Sequence, residues 1–363
     1  MSDAKKVKKV FGHLTSEVHV DLCSNCGACI ASCPMDSLKL QGGRPSLSGR
    51  CTACGLCYAQ CPQVVNDDEL RSEFFDEESE SNIGVYKDAL IARFSDYGES
   101  SQDGGFVTGL LTSLLEKNYI DGAVLMDRGS DWRPEPKVVT TSSEIEECAG
   151  SKYTPGPLLI STREAVERYD LRDMAVVGLP CQVKALRGMS IGDFSVRKIT
   201  DNVKLMIGLF CKYSFGYDDL KDKILGDRLE MDLADVSKFD MNEEEFIIHT
   251  KDGEIHRFDL DSLDQYAFTP CTLCGDYSAE FSDISVGRSR STRGWSSVIL
   301  RTSRGEEAFN LIKDGSLEFE KMDRDELEEI AAVSGRKMKS AEESINIYAD
   351  EGKPLPPRIK DNG

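Results

Sequence analysis

Residues 23–34 read C-S-N-C-G-A-C-I-A-S-C-P, and residues 51–62 read C-T-A-C-G-L-C-Y-A-Q-C-P. Each is a run of four cysteines spaced C-x2-C-x2-C-x3-C-P, and in the paired form of this pattern the fourth Cys ligates the other run's [4Fe–4S] cluster. One cluster is thereby assigned to Cys23, Cys26, Cys29 and Cys61, and a second to Cys51, Cys54, Cys57 and Cys33. Three thiolates in one tight turn can face three irons of a cubane. Gly27 and Gly55 let the backbone pass close to it, and Pro34 and Pro62 redirect the chain after the fourth ligand. Zinc ribbons use pairs of thiolates rather than runs of four, and a disulfide framework has no need of this repeat. The stretch implies one-electron transfer.

The totals fit that reading. A chain of 363 residues has room for two or three domains, one with a large core. It has 40% hydrophobic residues and no apolar run of membrane-spanning length. The start, M-S-D-A-K-K-V-K-K-V-F, lacks the apolar stretch of a secretory signal. Thirteen cysteines, eight of them spaced as ligands, suit a reducing cytosol. The expected location is cytoplasmic, with any membrane attachment made through a partner subunit. A formal charge of −20 argues against a nucleic-acid partner.

Taken in order, residues 1–65 are expected to form a two-cluster ferredoxin-like domain, with V-H-V (18–20) as its first strand. Residues 66–83 are acidic and read chiefly as a solvated linker, with Phe74 and Phe75 as a means of pinning the small domain to the rest. Residues 84–303 alternate strand-like and helix-like segments. V-Y-K-D-A-L-I-A-R-F precedes a helix with Phe106, Leu110, Leu111, Leu114 and Leu115 on one face. Ser143 with Glu146 suggests a capping box, and Asp252-Gly253 suggests a hairpin turn. The fold class is α+β or α/β, a ferredoxin-type domain followed by a larger mixed domain without a Rossmann fingerprint. Residues 304–363 read as a helical extension whose tail, from Ala341, is loosely held.

Outside the paired runs stand Cys148, Cys181, Cys211, Cys271 and Cys274. Cys181, in G-L-P-C-Q, follows a strand, Cys211 ends another, and P-C-T-L-C-G is a two-ligand hook. Four thiolates from three loops suit a third cubane, a four-thiolate zinc site or, for two of them, inert burial. Cys148 reads as structural. The loop S-Q-D-G-G-F opens a helix, where backbone N–H groups stabilise a pyrophosphate. A-G-S-K-Y-T-P-G is a second loop, with Lys152 able to meet a phosphate and Tyr153 able to stack on a ring.

S-Q-D-G-G-F-V-T-G-L-L, I-D-G-A-V-L, A-G-S-K-Y-T, V-G-L-P-C-Q-V-K-A-L-R, I-G-L-F-C, C-T-L-C-G-D-Y-S-A-E-F-S-D-I-S-V-G and G-W-S-S-V-I-L-R-T occur in this order across residues 84–303. Together they resemble the family of β subunits of coenzyme F420-dependent hydrogenases and dehydrogenases. The resemblance implies a domain that binds FAD and exchanges a hydride with the deazaflavin. It also implies a [4Fe–4S] cluster on Cys181, Cys211, Cys271 and Cys274, and FAD contacts at Gln102, Asp103, Gly104, Gly105, Ser151, Lys152, Tyr153, Thr154, Pro180 and Trp295. The double ferredoxin run resembles the electron-input subunit of the F420H2 dehydrogenase complexes of methanogenic archaea. Electrons would run from reduced deazaflavin through FAD and three clusters to a partner subunit, complex or soluble ferredoxin. The chemistry would belong to the cofactors, with no catalytic side chain required. The same residues admit reverse flow, a hydrogenase or formate dehydrogenase β subunit, a tetrapyrrole substrate, or an electron-wiring subunit without catalysis.

Overall fold

The computed structural model describes residues 9–18, 20–75, 81–95, 102–242 and 244–360. Its amino-terminal part is built on the two cysteine runs. Gly27 (φ +85°) and Gly55 (φ +88°) are both left-handed, each opening a one-turn helix, Ala28–Ala31 and Leu56–Ala59. Asn25 and Ala53 are left-handed at the matching position of each run. The sequence repeat is thus a backbone repeat. Between the runs, β1 (Leu38–Gln41) and β2 (Arg44–Leu47) form an antiparallel hairpin.

Among the described residues, no strand forms at V-H-V. Helix Phe11–Glu17 ends at Val18, and Val20–Leu22 is a single 3-10 turn; His19 lies outside the described residues. Leu14, Val18 and Leu22, four residues apart, all enter one core with Ile30 and Leu38. That is helical spacing, which outweighed the local alternation.

The acidic stretch is also corrected. Residues Asp67–Phe74 form a helix whose Asn66 side chain accepts from the amides of Asp68 and Glu69. Its acidic first turn suits the helix dipole. Leu70 is fully buried with Val65, Val183 and Phe281, and Phe74 and Phe75 pack beside them. The Arg187 guanidinium stands 4.6 Å from the Phe74 ring. Residues 76–80 lie outside the described part.

The larger part is organised by one sheet of eight strands. In chain order the strands are β3 (Asp88–Phe94), β4 (Gly122–Arg128), β5 (Pro134–Val139), β6 (Met174–Gly178), β7 (Val203–Leu209), β8 (Val236–Met241), β9 (Glu245–Thr250), β10 (Ile255–Asp259), β11 (Ile284–Arg288), β12 (Ser296–Leu300) and β13 (Leu317–Lys321). The sheet order is β13-β3-β12-β11-β7-β6-β4-β5. β11, β7, β6 and β4 are mutually parallel, and the outer pairings are antiparallel. β8, β9 and β10 form a separate antiparallel sheet inserted between β7 and β11, with its hairpin turning at Gly253 (φ +94°).

Alternate residues of the parallel strands enter two different cores, as burial on both faces requires. Ala123, Leu125, Ala175, Val177, Leu205 and Ile207 face the helices Phe106–Glu116 and Ser303–Ile312. Val124, Val176 and Met206 face the helices Ile160–Glu167 and Pro180–Gly188, and this second core also takes in Cys26, Ala28 and Ala31 of the first cysteine run. The cluster-binding part therefore shares a core with the large sheet. Gly109 is required in the Phe106 helix, because a Cβ there would stand 2.3 Å from the Phe94 ring.

Three further expectations need correction. The capping box stands two residues earlier, with Thr141 and Glu144 bonded reciprocally. The extension expected to be helical supplies β13, which pairs with β3. The tail is held: helix Arg324–Asp350 continues through buried Ala341, with Leu327, Ile330 and Ala331 on the large part and Ile345 and Tyr348 on the cluster-binding core. At about 1.5 Å per residue its 27 residues span both parts. Arg358 then donates from its backbone to Gln63 O (3.0 Å) and from its side chain to Leu273 O (2.9 Å). Residues 361–363 lie outside the described part.

Candidate functional site

Where neighbouring strands are parallel, as at the centre of this sheet, loops leaving their carboxyl ends build the site. Here β6 ends at Gly178 and leads to Leu179, Pro180 and Cys181; β7 ends at Leu209 and leads to Phe210 and Cys211; β11 ends at Arg288. Pro180 and Cys181 open the helix Pro180–Gly188. The Gln182 side chain fixes that helix start, accepting from Leu179 N (2.8 Å) and donating to Gly156 O (2.8 Å). Cys271 lies in the single turn Thr269–Thr272, and Cys274 donates its amide back to Cys271 O. Cys211 donates its amide to Tyr277 O at 2.9 Å, tying the β7 end to the chain just beyond Cys274.

These four cysteines line one cavity of about 830 Å³, together with Lys184, Lys337, Arg358 and Asp276. Burial, with crowding by Cys26, Cys271, Cys274 and Cys211, pushes the Cys181 thiol well above its usual range. Burial likewise raises Cys211 and takes Cys271 to about 12. Thiols in such surroundings are held neutral until a cation displaces their protons. Among the described residues no three His, Cys, Asp or Glu side chains converge as ligands of a single metal ion. The donor set of four thiols around a cavity fits a cubane.

In the paired runs, the thiols of Cys29, Cys57 and Cys61 are perturbed by nearby sulfurs. Burial raises Cys29 and Cys61 well above the usual range; Cys26 and Cys23 add to it at both sites. Burial raises Cys57 to about 11, with Cys54, Cys51 and Cys33 as its sulfur neighbours. The groups also act on one another electrostatically: Cys57 on Cys29, and Cys26 on Cys181. The first run docks tightly on the large part: Leu159 N donates to Cys26 O at 3.0 Å, and Asn25 donates to Pro155 O at 3.3 Å. Of the thirteen cysteines, Cys51 is exposed.

A second cavity of about 300 Å³ adjoins the first. Gln102, Asp103, Gly105, Ser151, Lys152, Tyr153 and Thr154 all line it. Gly105 (φ +63°) caps the Phe106 helix, leaving the orphan amides of that N-terminus at the cavity edge. Gly104 lets the loop press onto β3, since a Cβ there would stand 2.7 Å from Ala92 O. The loop is anchored by an ion network: Arg288 donates to Asp103 (2.8 Å) and to both Asp240 oxygens (2.6 and 2.7 Å), and Gln102 donates to Asp240 (2.7 Å). Ser101 of this loop lies outside the described residues. Lys152 donates to Cys148 O at 2.5 Å, and burial lowers its pKa to about 8. Cys148, expected to be structural, is buried beside the same cavity.

The wall between the cavities is made by Leu179, Gln182, Cys211 and Ser214, which line both. Pro180 lines the thiol cavity, and Trp295 lines neither: it packs beside Ile91 and Ile299 with Arg93 5.0 Å from its ring. A third, open cavity of about 870 Å³ meets the glycine loop at Asp103 and Gly104 and carries Arg93, Lys238, Arg257, Arg288, Arg290 and Arg293. Several of these are ion-paired, Arg93 with Glu318 and Arg257 with Glu245. Arg288, Asp240, Lys184, Lys337 and Arg358 were not singled out from sequence. Arg288 follows D-I-S-V-G at a strand end and was legible by that position, whereas Lys337 sits in an ordinary charged helix and carried no signal. No described helix is long and apolar enough to cross a membrane.

Comparison with known proteins follows the same division. Residues 16–62 match the family model of a 4Fe-4S dicluster domain. Residues 89–161 and 171–325 match those of the coenzyme F420 hydrogenase/dehydrogenase beta subunit, N-terminal and C-terminal parts. The chain is 33% identical over 311 residues to a subunit of the F(420)H(2) dehydrogenase of Methanosarcina mazei, covering 81% of this chain and 83% of that protein. It is 33% identical over 281 residues to the beta subunit of the coenzyme F420 hydrogenase of Methanothermobacter thermautotrophicus, covering 76% of this chain and 99% of that one. A chain of the F420-reducing [NiFe] hydrogenase complex from Methanosarcina barkeri superposes with a TM-score of 0.71 at 27% identity, over 77% of this chain and 98% of the other. With a dicluster domain joined to both parts of that β subunit, in one fold and one shared core, the chain belongs to the family of coenzyme F420 hydrogenase/dehydrogenase beta subunits.

Proposed function

We propose that the chain is an F420H2 dehydrogenase subunit, oxidising reduced coenzyme F420 at an FAD in the smaller cavity and delivering single electrons to a partner protein. Three [4Fe–4S] clusters would connect them, the innermost on Cys181, Cys211, Cys271 and Cys274. The observation that carries this reading is the common wall: Cys211 lines both the thiol cavity and the glycine-loop cavity. Cys26 acts electrostatically on Cys181, and the Leu159–Cys26 hydrogen bond seats the first run against the large part, which supports continuing the path into the paired runs. The direction rests on the relative from the F(420)H(2) dehydrogenase of Methanosarcina mazei, whose match covers a larger share of this chain than that of the hydrogenase relative.

Bound there, FAD would supply the conversion between a hydride and two single electrons, and the clusters would carry those electrons one at a time. The protein's part is to bind and orient. The amides at the Gly105 end of the Phe106 helix, with Lys152 across the cavity, suit the pyrophosphate. The Arg288 network keeps the Gln102–Gly105 loop in place by two carboxylates at once. The basic cavity beside Gly104 suits an anionic substrate approaching the flavin, in a chain whose formal charge is otherwise −20.

The test uses anaerobically purified, iron-reconstituted protein with FAD, reduced coenzyme F420 and a viologen acceptor, followed by deazaflavin absorbance. FAD-dependent oxidation is the expected result. Protein with full iron and bound flavin but no turnover would overturn the substrate. Failure to bind flavin would leave an electron-wiring subunit.

A further inference from the structure

The helix Arg324–Asp350 begins at the very end of the region matched by the family model and runs beyond it, yet it reaches the thiol cavity. Lys337, twelve residues past that matched boundary at 325, lies on the cavity wall. Its ammonium donates to Cys211 O at 2.6 Å and to Asp276 O at 2.7 Å. One acceptor belongs to a thiol-bearing residue and the other lies two residues beyond Cys274. Lys337 therefore ties together two of the loops that present the four sulfurs.

Of the neighbouring charges, Lys184 is ion-paired with Asp67 and Glu280 with Arg71, while Arg358 bonds a backbone carbonyl, Leu273 O, and the buried Asp276 carboxylate faces Lys337. Both bonds given by Lys337 end on backbone carbonyls, which leave its positive charge intact. Reduction of a cluster adds one negative charge, and a nearby buried cation favours the reduced form more than the oxidised form. Charge and hydrogen bonding close to the sulfurs are established determinants of cluster potential.

We propose that Lys337 is a positioning residue for the third cluster, clamping the Cys211 and Cys274 loops and raising that cluster's reduction potential through its charge. This inference rests on the third-cluster reading above.

The experiment is a mediated dithionite titration of the full chain followed by electron paramagnetic resonance, with iron content measured in parallel. The third cluster's signal is assigned by its loss in Cys181→Ser. Lys337→Met is expected to lower the third-cluster reduction equilibrium at least tenfold, about 59 mV for one electron, leaving the two ferredoxin clusters unmoved. Lys337→Arg should restore it. An unchanged potential in Lys337→Met with full iron overturns the proposal, as does an equal shift of all three clusters. If Lys337→Met does not retain the cluster, Lys337→Arg decides: retention at the wild-type potential supports the charge, and loss in both variants overturns it. Wild-type protein holding only two clusters would instead remove the third-cluster reading itself.

Discussion

The carbonyl of Cys26 accepts a hydrogen bond from the amide of Leu159, at 3.0 Å, so a predicted cluster ligand is bonded directly to the large part of the chain. Leu159 follows the loop that carries Ser151 to Thr154, and its side chain shares a core with Cys26, Ala28 and Ala31. The cluster-binding part is consequently seated on the face where the two cavities meet.

Gly27 is a tight point of that seat. Its φ of +85° disfavours any side chain, and a Cβ would stand 2.9 Å from both Pro157 O and Ile160 Cγ1. Gly27→Ala should cost at least ~2 kcal/mol, combining backbone strain with overpacking. Gly43→Ala, with φ +72° and open space around it, should cost only ~1 kcal/mol. Denaturant unfolding of the two cluster-loaded variants checks the difference, and equal losses would mean that the seat is not tight.

Cys271→Ser should reduce iron from about twelve to about eight atoms per chain, one cubane of the three. The signals of the paired runs should remain. Loss of a single metal equivalent instead would identify a mononuclear centre.

Arg301 is fully buried and donates to Ser285 Oγ, Ile83 O, Val85 O and both oxygens of Ser278. Burial lowers its pKa to about 10, so it is still a cation at neutral pH. Replacing it by Met leaves these acceptors unpaired in the interior, and a loss of ~3 kcal/mol or more is expected. Chemical denaturation measures it; a loss under ~1 kcal/mol would show that water replaces the guanidinium.

Lys152 gives two pH dependences of opposite sign. Burial lowers its pKa to about 8 in the folded protein. Between about 8 and its ordinary value near ~10.5 the unfolded chain holds more protons, so the flavin-free protein gains stability as pH rises through that window. An anion in the cavity prefers the protonated amine, so flavin affinity should be level below about pH 8 and fall above it. Lys152→Met should flatten both curves. Flavin titrations and denaturation from pH 6 to 10 read them; a pH-independent affinity would remove Lys152 from the phosphate contact.

Local patterns were legible wherever residue spacing dictates local geometry. The two cysteine runs, the apolar face from Phe106 to Leu114 and the Asp252-Gly253 hairpin all formed where spacing put them. Each is decided by contacts within a few residues or by a ligand rule, and such information lies in the chain itself. V-H-V and the acidic stretch misled for the complementary reason. Val18 and Leu22 were claimed by a helical core, and Leu70 was buried by Val183 and Phe281, more than a hundred residues away.

By itself the sequence determined that the two cysteine runs would fold as one repeated turn, because each carries the same spacing and a glycine at the left-handed position. It also determined which loops would leave the ends of buried strands. Only the tertiary structure decided that those loops meet the first cysteine run, that Cys211 stands between two cavities, and that Lys337 arrives from beyond the matched domain to bond it. The reason is range: a charge on one face of a long helix has no local partner to reveal it, and only the packing of that helix across both parts of the chain gives it one.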